Sequence, residues 1–316
     1  MPAYNAVSTI ESAIQSVLDQ TYSDFELIIV DDGSTDYTIG KVNSFPDNRI
    51  RLLRQANQGV SIARNNGILH STGEFIAFLD SDDAWHKDKL RTQICILKQR
   101  QDIDFLFSSF EVFSSQGVLA APVYTDCFNG VWPHSTRILV TDFIPTLTVL
   151  LRKSLLIECE SGCFDPLLCG TEDWDLWIRL LQKAKVLCVG RSLAYYRSSS
   201  VGLSGNFLRH HFEELKVLKK HQAYFRMLPR YVEASAFIFW HLKAVRYWLS
   251  LFDLKGLSEE VKCIFRSYSL GLIIIALLRL FYPSLFLHFA RKFIFSFLLS
   301  LGLAQKFKPL PFAEVT

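Results

Sequence analysis

Hydrophobic and polar positions alternate between two periods over the first 200 residues. Ile10, Ile14, Val17 and Leu18 recur at helical spacing and predict a helix over 9–20. The apolar run at 25–30 has the length of a buried strand and ends abruptly in Asp31-Asp32-Gly33-Ser34-Thr35-Asp36. A second strand is expected at 49–54 and a helix at 59–69. Gly73 breaks the chain before a third apolar strand at 74–79, which runs straight into Asp80-Ser81-Asp82-Asp83. A helix over 87–100 and a strand at 103–107 follow. Strands alternating with helices predict an α/β fold with a doubly wound, mostly parallel sheet. In such sheets ligands bind outside the carboxyl ends of the strands, and both acidic runs stand at such ends.

The pattern then loosens. A hairpin is expected around Ser115-Gln116-Gly117, a strand at 145–152, an amphipathic helix at 172–184, and two short strands at 186–190 and 193–197. From about 206 onward the spacing is helical, first at 207–226 and 230–252. Apolar blocks at 270–278, 280–290 and 293–304 close the chain, interrupted by Arg279, Pro283, His288, Arg291 and Lys292. None reaches the roughly 18 uncharged apolar residues of a spanning helix. Such blocks fit helices lying in a membrane interface, with the cations reaching the headgroups.

Charge sharpens that division. Residues 1–202 carry 18 Lys and Arg against 24 Asp and Glu, and the remainder 16 against 7. The first part is acidic, while the tail is basic as well as apolar and suits an anionic membrane surface. A basic helical subdomain that merely packs on the first part is the plainer alternative. A net charge of +3 over 316 residues gives no basic stripe, so a nucleic-acid partner is not expected. The seven cysteines, Cys95, Cys127, Cys159, Cys163, Cys169, Cys188 and Cys263, are irregularly spaced and read as buried thiols in a reducing cytoplasm. No secretory signal opens the chain.

Three segments carry chemistry. Asp80 and Asp82 are carboxylates one residue apart at a strand end, a donor set for a hard cation such as Mg²⁺ or Mn²⁺ that completes its shell with substrate phosphates. Asp31-Asp32-Gly33-Ser34 is a second acidic turn, whose plainer reading is helix capping. Gly59-Val60-Ser61-Ile62-Ala63-Arg64-Asn65 opens a helix with a glycine and places Arg64 near its start, suited to anionic phosphates.

Together, Pro2-Ala3-Tyr4-Asn5, Gln20-Thr21-Tyr22, Asp31-Asp32-Gly33-Ser34-Thr35-Asp36, Gly59-x-x-x-Ala63-Arg64-Asn65 and Leu79-Asp80-Ser81-Asp82-Asp83 resemble family 2 glycosyltransferases of the GT-A fold. The resemblance covers residues 1–100 closely and extends loosely to about 200, giving a catalytic domain over 1–205 and a helical region over 206–316. It implies inverting transfer from a nucleotide sugar; with the basic, apolar tail, the expected role is transfer to a glycan or lipid-linked acceptor in cell-surface polysaccharide synthesis, at the inner face of the cell membrane. It also implies residue roles. Pro2 and Tyr4 with Asp32 would meet the nucleobase side, Arg64 the nucleotide or diphosphate, Asp80 the ribose or metal, and Asp82 the metal. Thr171-Glu172-Asp173-Trp174-Asp175 resembles the family's acidic motif, with Asp173 as catalytic base and Glu172 beside it. Trp174 and Trp177 fit either core or a floor for an acceptor sugar. Arg197 precedes a Ser-rich segment at 198–204 that resembles a lid, and either meets the diphosphate or is an ordinary surface arginine.

The family's opening apolar strand is not visible ahead of Pro2, so that strand is expected to be missing and the chain truncated at its start. A catalytically inactive nucleotide-sugar-binding or scaffold protein is the competing reading. A nucleotidyltransferase would want a Gly-rich basic loop near the start, and none is visible.

Overall fold

The computed structural model describes residues 1–114, 117–120, 130–132, 138, 142–157, 163–198, 207–227, 234, 238, 239 and 241. The chain divides into a unit Met1–Lys220 and a unit His221–Thr316. The expected helix over 230–252 (apart from four positions), the apolar blocks after 270 with their membrane role, and the lid from 199 to 204 lie outside the described residues. Among the described residues no helix is long and apolar enough to cross a membrane.

In the first unit the order is β1 (Pro2–Ala3), α1 (Ile10–Leu18), β2 (Leu27–Asp31), α2 (Thr38–Asn43), β3 (Ile50–Arg54), α3 (Val60–His70), β4 (Phe75–Ala77), β5 (Ala84–Trp85) and α4 (Lys89–Gln99). There follow β6 (Phe105–Ser114), β7 (Gly117–Ala120), β8 (Gly130–Trp132), a 3-10 turn at Thr146–Thr148, β9 (Leu150–Arg152), α5 (Lys153–Ile157), α6 (Glu172–Leu181), β10 (Val186–Arg197) and α7 (Phe207–Lys220). In the second unit, α8 is Gln222–Met227.

Two sheets result. One is parallel, in the order β1-β2-β3, and its central β2 is buried at every position, as an apolar strand covered on both faces must be. Of the opening strand expected to be missing, two residues form β1, paired with β2, and the Met1 amine donates to Ile28 O at 2.8 Å. The second sheet runs β4-β9-β6-β10-β5, with β7 on β6 and β8 on β10. It corrects the expectation of a mostly parallel sheet: β6 and β10 are parallel, but β9 runs antiparallel to both β4 and β6, and β5 antiparallel to β10. The fold is therefore α/β with mixed sheets.

Apolar faces join the two sheets. Ile10, Ile14 and Val17 of α1 pack in one core with Ile29, Leu79, Leu106, Leu150 and Ala194. A cavity of about 490 Å³ opens between β2 and β4, lined by residues such as Leu27, Ile28, Phe75, Phe78 and Leu90. It touches Pro2 and Arg64 but none of the candidate acids. The segment expected as a strand from 145 instead opens with the 3-10 turn, and only its end pairs in the sheet. The two short strands expected near its end are one, β10, kinked by register shifts between Val189 and Ala194. Of the cysteines expected as buried, Cys188 is, Cys163 and Cys169 are half-buried, and Cys95 is exposed.

Candidate active site

Just after β4 the chain turns through 80–83, closed by the Asp83 N–H donating to Asp80 O at 3.2 Å. Its three carboxylates end in different places. Asp82 is exposed, Asp80 half-buried and Asp83 buried. Partial loss of hydration and the charge of Asp80 push the Asp82 carboxyl up. Burial, then Asp80 and Asp82, push Asp83 well up. Arg197, at the end of β10, pins the turn from outside: its N–H donates to Asp83 Oδ1 at 2.8 Å and its Nε to Asp82 O at 2.6 Å. Its guanidinium lies 4.4 Å from the centre of the Phe113 ring. Arg197 therefore holds the acidic turn at the Asp83 carboxylate and the Asp82 carbonyl, and places a cation beside it.

Arg64 comes to the same place from the first turns of α3. Its Nη2 donates to both Asp80 oxygens, at 2.7 and 3.0 Å, and its Nη1 to Glu172 Oε1 at 2.7 Å. Its side chain is 5% exposed and lies over the Phe164 ring. Burial works against the charged guanidinium, but Asp80 and Glu172 outweigh it and raise its proton affinity. Removing Arg64 would leave Glu172, itself buried, without its cation. The arginine expected near the diphosphate is thus a bridge between the 80–83 turn and α6.

Gly170, at φ 81°, turns the chain into α6, and its N–H donates to Glu172 Oε2 at 2.7 Å. Glu172, Asp173 and Asp175 fill the helix's first turn, where backbone N–H groups and the helix dipole favour negative charge. Asp173 Oδ1 accepts the Trp174 N–H at 2.9 Å, and Oδ2 accepts the Thr146 hydroxyl at 2.7 Å. Burial and then Glu172 push its carboxyl up to about 6, against the opposing pull of Arg64, Thr146 and the Trp174 N–H. Asp142 is pushed well up by burial and by Asp173. Asp175 is fully buried and is answered by Arg179 and by Lys220 at 2.9 Å.

Trp174 and Trp177 are fully buried, and their indole N–H groups donate to Ile138 O and Ile144 O. Trp177 packs on Phe78, Phe105 and Phe164. Neither ring offers a face to a sugar; both fasten α6 to the segment ahead of β9.

The other acidic run behaves differently. Asp32 is 4% exposed, and its carboxylate accepts the Gln58 N–H at 2.9 Å, the Gly59 N–H at 2.8 Å and Gln55 Nε2 at 2.8 Å. It holds the loop that starts α3, and thereby sets where Arg64 stands. Pro2 lies in β1, and Tyr4 beside it is 51% exposed. The structure brings Arg64, Asp80, Asp82, Glu172, Asp173 and Arg197 together. Pro2, Tyr4 and Asp32 stand at the neighbouring end of the parallel sheet. Thr146, Asp142 and Asp83 were not singled out from sequence. Thr146 and Asp142 stand 27 and 31 residues from Asp173, and no periodic signal links them.

Among the described residues no three His, Cys, Asp or Glu side chains form a metal-binding group. Asp80 and Asp82 nonetheless fit a divalent cation that keeps open positions for phosphate oxygens. Two neighbouring carboxylates, one with raised proton affinity, mark a place where added positive charge is stabilising. Arg64 already occupies both Asp80 oxygens, which leaves Asp82 as the more available ligand.

Comparison with known proteins bears on this arrangement. The family model described as "Glycosyl transferase family 2" matches residues 1–155. Over 219 residues the chain is 35% identical to the Escherichia coli UDP-Glc:alpha-D-GlcNAc-diphosphoundecaprenol beta-1,3-glucosyltransferase WfgD, covering 68% of this chain and 81% of that one. Among solved structures it resembles Staphylococcus aureus TarS 1–349 in complex with UDP-GlcNAc, with a TM-score of 0.58 at 17% identity, over 85% of this chain and 91% of that one. It also resembles the mannosyltransferase PcManGT from Pyrobaculum calidifontis in complex with GDP-Man and Mn²⁺, with a TM-score of 0.59 at 17% identity, over 89% and 79%. At such identities the two structures speak for the fold alone.

Proposed function

Since the chain belongs to glycosyl transferase family 2 and is a glycosyltransferase, we propose that it moves a sugar, with inversion, from a nucleoside-diphosphate sugar to a hydroxyl of a lipid-linked glycan. The observation that carries this reading is the pairing of two unlike acidic places through Arg64. One is an exposed turn fit for a cation and phosphates; the other is a half-buried carboxylate held in a fixed direction.

In this reading Asp173 takes the proton from the acceptor hydroxyl as its oxygen bonds to the anomeric carbon. On the opposite side the bond to the diphosphate oxygen breaks, and the nucleoside diphosphate leaves with the electron pair. A carboxyl with its midpoint at about 6 is mostly ionised at neutral pH yet basic enough to accept that proton. Asp82, with Asp80, would hold Mg²⁺ or Mn²⁺, which when bound neutralises charge on the departing diphosphate. Asp32 fixes the loop that opens α3, Tyr4 offers an exposed ring on the nucleobase side, and Arg197 adds a cation beside the turn. The relative's lipid-linked substrate and the basic, apolar sequence after 206 support work at the inner surface of the cell membrane, in cell-surface polysaccharide synthesis.

The test is to incubate the full chain with a panel of nucleotide sugars, a diphospho-lipid acceptor and Mn²⁺ or Mg²⁺, and to follow nucleoside diphosphate release. Release should require both metal and acceptor. Asp173→Asn should bind donor normally and lower turnover about 10³-fold or more, the scale of losing a general base. An Asp173→Asn variant as fast as the natural chain would overturn the assignment of the base.

A further inference from the structure

The segment 144–149, which leads into β9, is tied down at every carbonyl. Trp177 Nε1 donates to Ile144 O at 3.0 Å, and the Thr148 hydroxyl to Pro145 O at 2.7 Å. The Val149 N–H reaches Thr146 O at 3.2 Å, and Trp85 Nε1 reaches Leu147 O at 3.0 Å. Gln93 Nε2 takes Thr148 O at 2.9 Å, and Lys89 Nζ takes Val149 O at 3.2 Å. Two of these donors belong to the segment itself, and the other four come from three places: β5, which directly follows the acidic turn; α4, through Lys89 and Gln93; and α6, through Trp177.

This accounts for a costly feature of α4. Lys89 is fully buried, and burial lowers its amine to about 7. Among the described residues its amine meets Gln93 Oε1, Val149 O and the Trp85 ring, with no carboxylate. Burying an amine costs free energy that its hydrogen bonds to Gln93 and Val149 only partly offset.

What the segment holds is Thr146. Its side chain is 5% exposed, and its hydroxyl donates to Asp173 Oδ2. With Oδ1 engaged by the Trp174 N–H, both oxygens of the carboxylate are fixed, and its rotation about the Cβ–Cγ bond is blocked. We propose that Thr146 is a positioning residue for the base: carried on the anchored segment 144–149, its hydroxyl aims the Asp173 carboxylate at the acceptor hydroxyl. This rests on the reading of Asp173 as base. The charged groups facing that carboxylate are Glu172 on its own helix, Asp142 just ahead of the segment, and Arg64 on α3; Glu214 of α7 faces Asp142 in turn.

The experiment compares Thr146→Val, which keeps the shape and removes the donor, with Thr146→Ser, which keeps the donor. Thermal unfolding and donor binding confirm that each variant is folded. Thr146→Val should lower kcat roughly 10- to 100-fold, the range for losing a hydrogen bond to a charged group, with KM for the donor within about twofold. The acidic limb of its kcat–pH profile should move upward from about pH 6, because the lost hydrogen bond favoured the anion. Thr146→Ser should restore the natural rate and limb. A Thr146→Val variant with unchanged kcat and limb overturns the proposal. So does an equal loss in Thr146→Ser, which would mark a packing role. If Asp173→Asn is inactive while Thr146→Val is normal, only this inference fails. If Asp173→Asn is fully active, the base assignment itself has failed.

Discussion

The two acidic turns at the rim look alike in sequence and do opposite work. The turn after β2 directs the Asp32 carboxylate inward to two backbone N–H groups and a glutamine, all in the loop that opens α3. The turn after β4 sends Asp82 outward, and it is held by Arg197, on Asp83 Oδ1 and Asp82 O, and by Arg64 on the Asp80 carboxylate. One turn is tied into the fold through its carboxylate, and the other keeps a carboxylate exposed. The distinction follows from what lies within reach: the Asp32 carboxylate finds backbone N–H donors in the neighbouring loop, whereas the exposed Asp82 carboxylate has Asp80 and the charges of Arg197 and Arg64 around it.

Asp82→Asn separates the two most sharply. It should lower metal-dependent turnover by about 10³-fold, as expected when a metal ligand is lost from the transition state, with thermal stability unchanged or slightly raised. A rise is reasonable because it removes a like charge next to Asp80. The measurement is kcat against Mn²⁺ concentration beside a thermal melt. A large drop in melting temperature would erase the distinction.

Asp32→Ala should do the reverse. It leaves the Gln58 and Gly59 N–H groups without their acceptor, at a cost of about 2–4 kcal/mol. Activity should fall only through Arg64, whose helix has lost its anchor. Chemical denaturation reads the stability, and donor KM against kcat reads the rest. Normal stability with abolished donor binding would make Asp32 a ligand contact first and a cap second.

Much of this was legible in sequence, for identifiable reasons. The apolar run ending at Asp31 and the periodic face of Ile10, Ile14 and Val17 gave β2 and α1 nearly at their observed bounds, because length and period specify a buried strand or an amphipathic helix. Strand direction was not legible: β9 and β5 run antiparallel to their neighbours, and nothing in Leu150-Leu151-Arg152 records which way a strand points. At the site, residue types were readable and partners were not. Arg64 carries the expected charge, but its ion pair with Glu172 spans 108 positions, so its bridging of the two acidic places could not be read from spacing. Trp174 was read as either floor or core, since an indole suits both; full burial and the bond to Ile138 O place it in the core.

Gly59 gives the smallest and cleanest test of the difference between the turns. Its φ of 91° with ψ of 164° lies where L side chains are strained, yet a Cβ built there would meet nothing within 4 Å. Any cost of Gly59→Ala is therefore backbone strain rather than a clash, about 1–2 kcal/mol. Relief of that strain would rotate the Gly59 N–H away from Asp32 Oδ2, so the substitution spends the same interaction as Asp32→Ala. The two should combine to less than the sum of their separate effects, because residues sharing a hydrogen bond are coupled. Gly59→Ala with Asp82→Asn should instead be additive in stability, since the exposed carboxylate holds no part of that loop. Coupling of Gly59 to Asp82 as strong as to Asp32, in a double-mutant cycle by denaturation, would mean that the two turns form one mechanical unit rather than a cap and a ligand site.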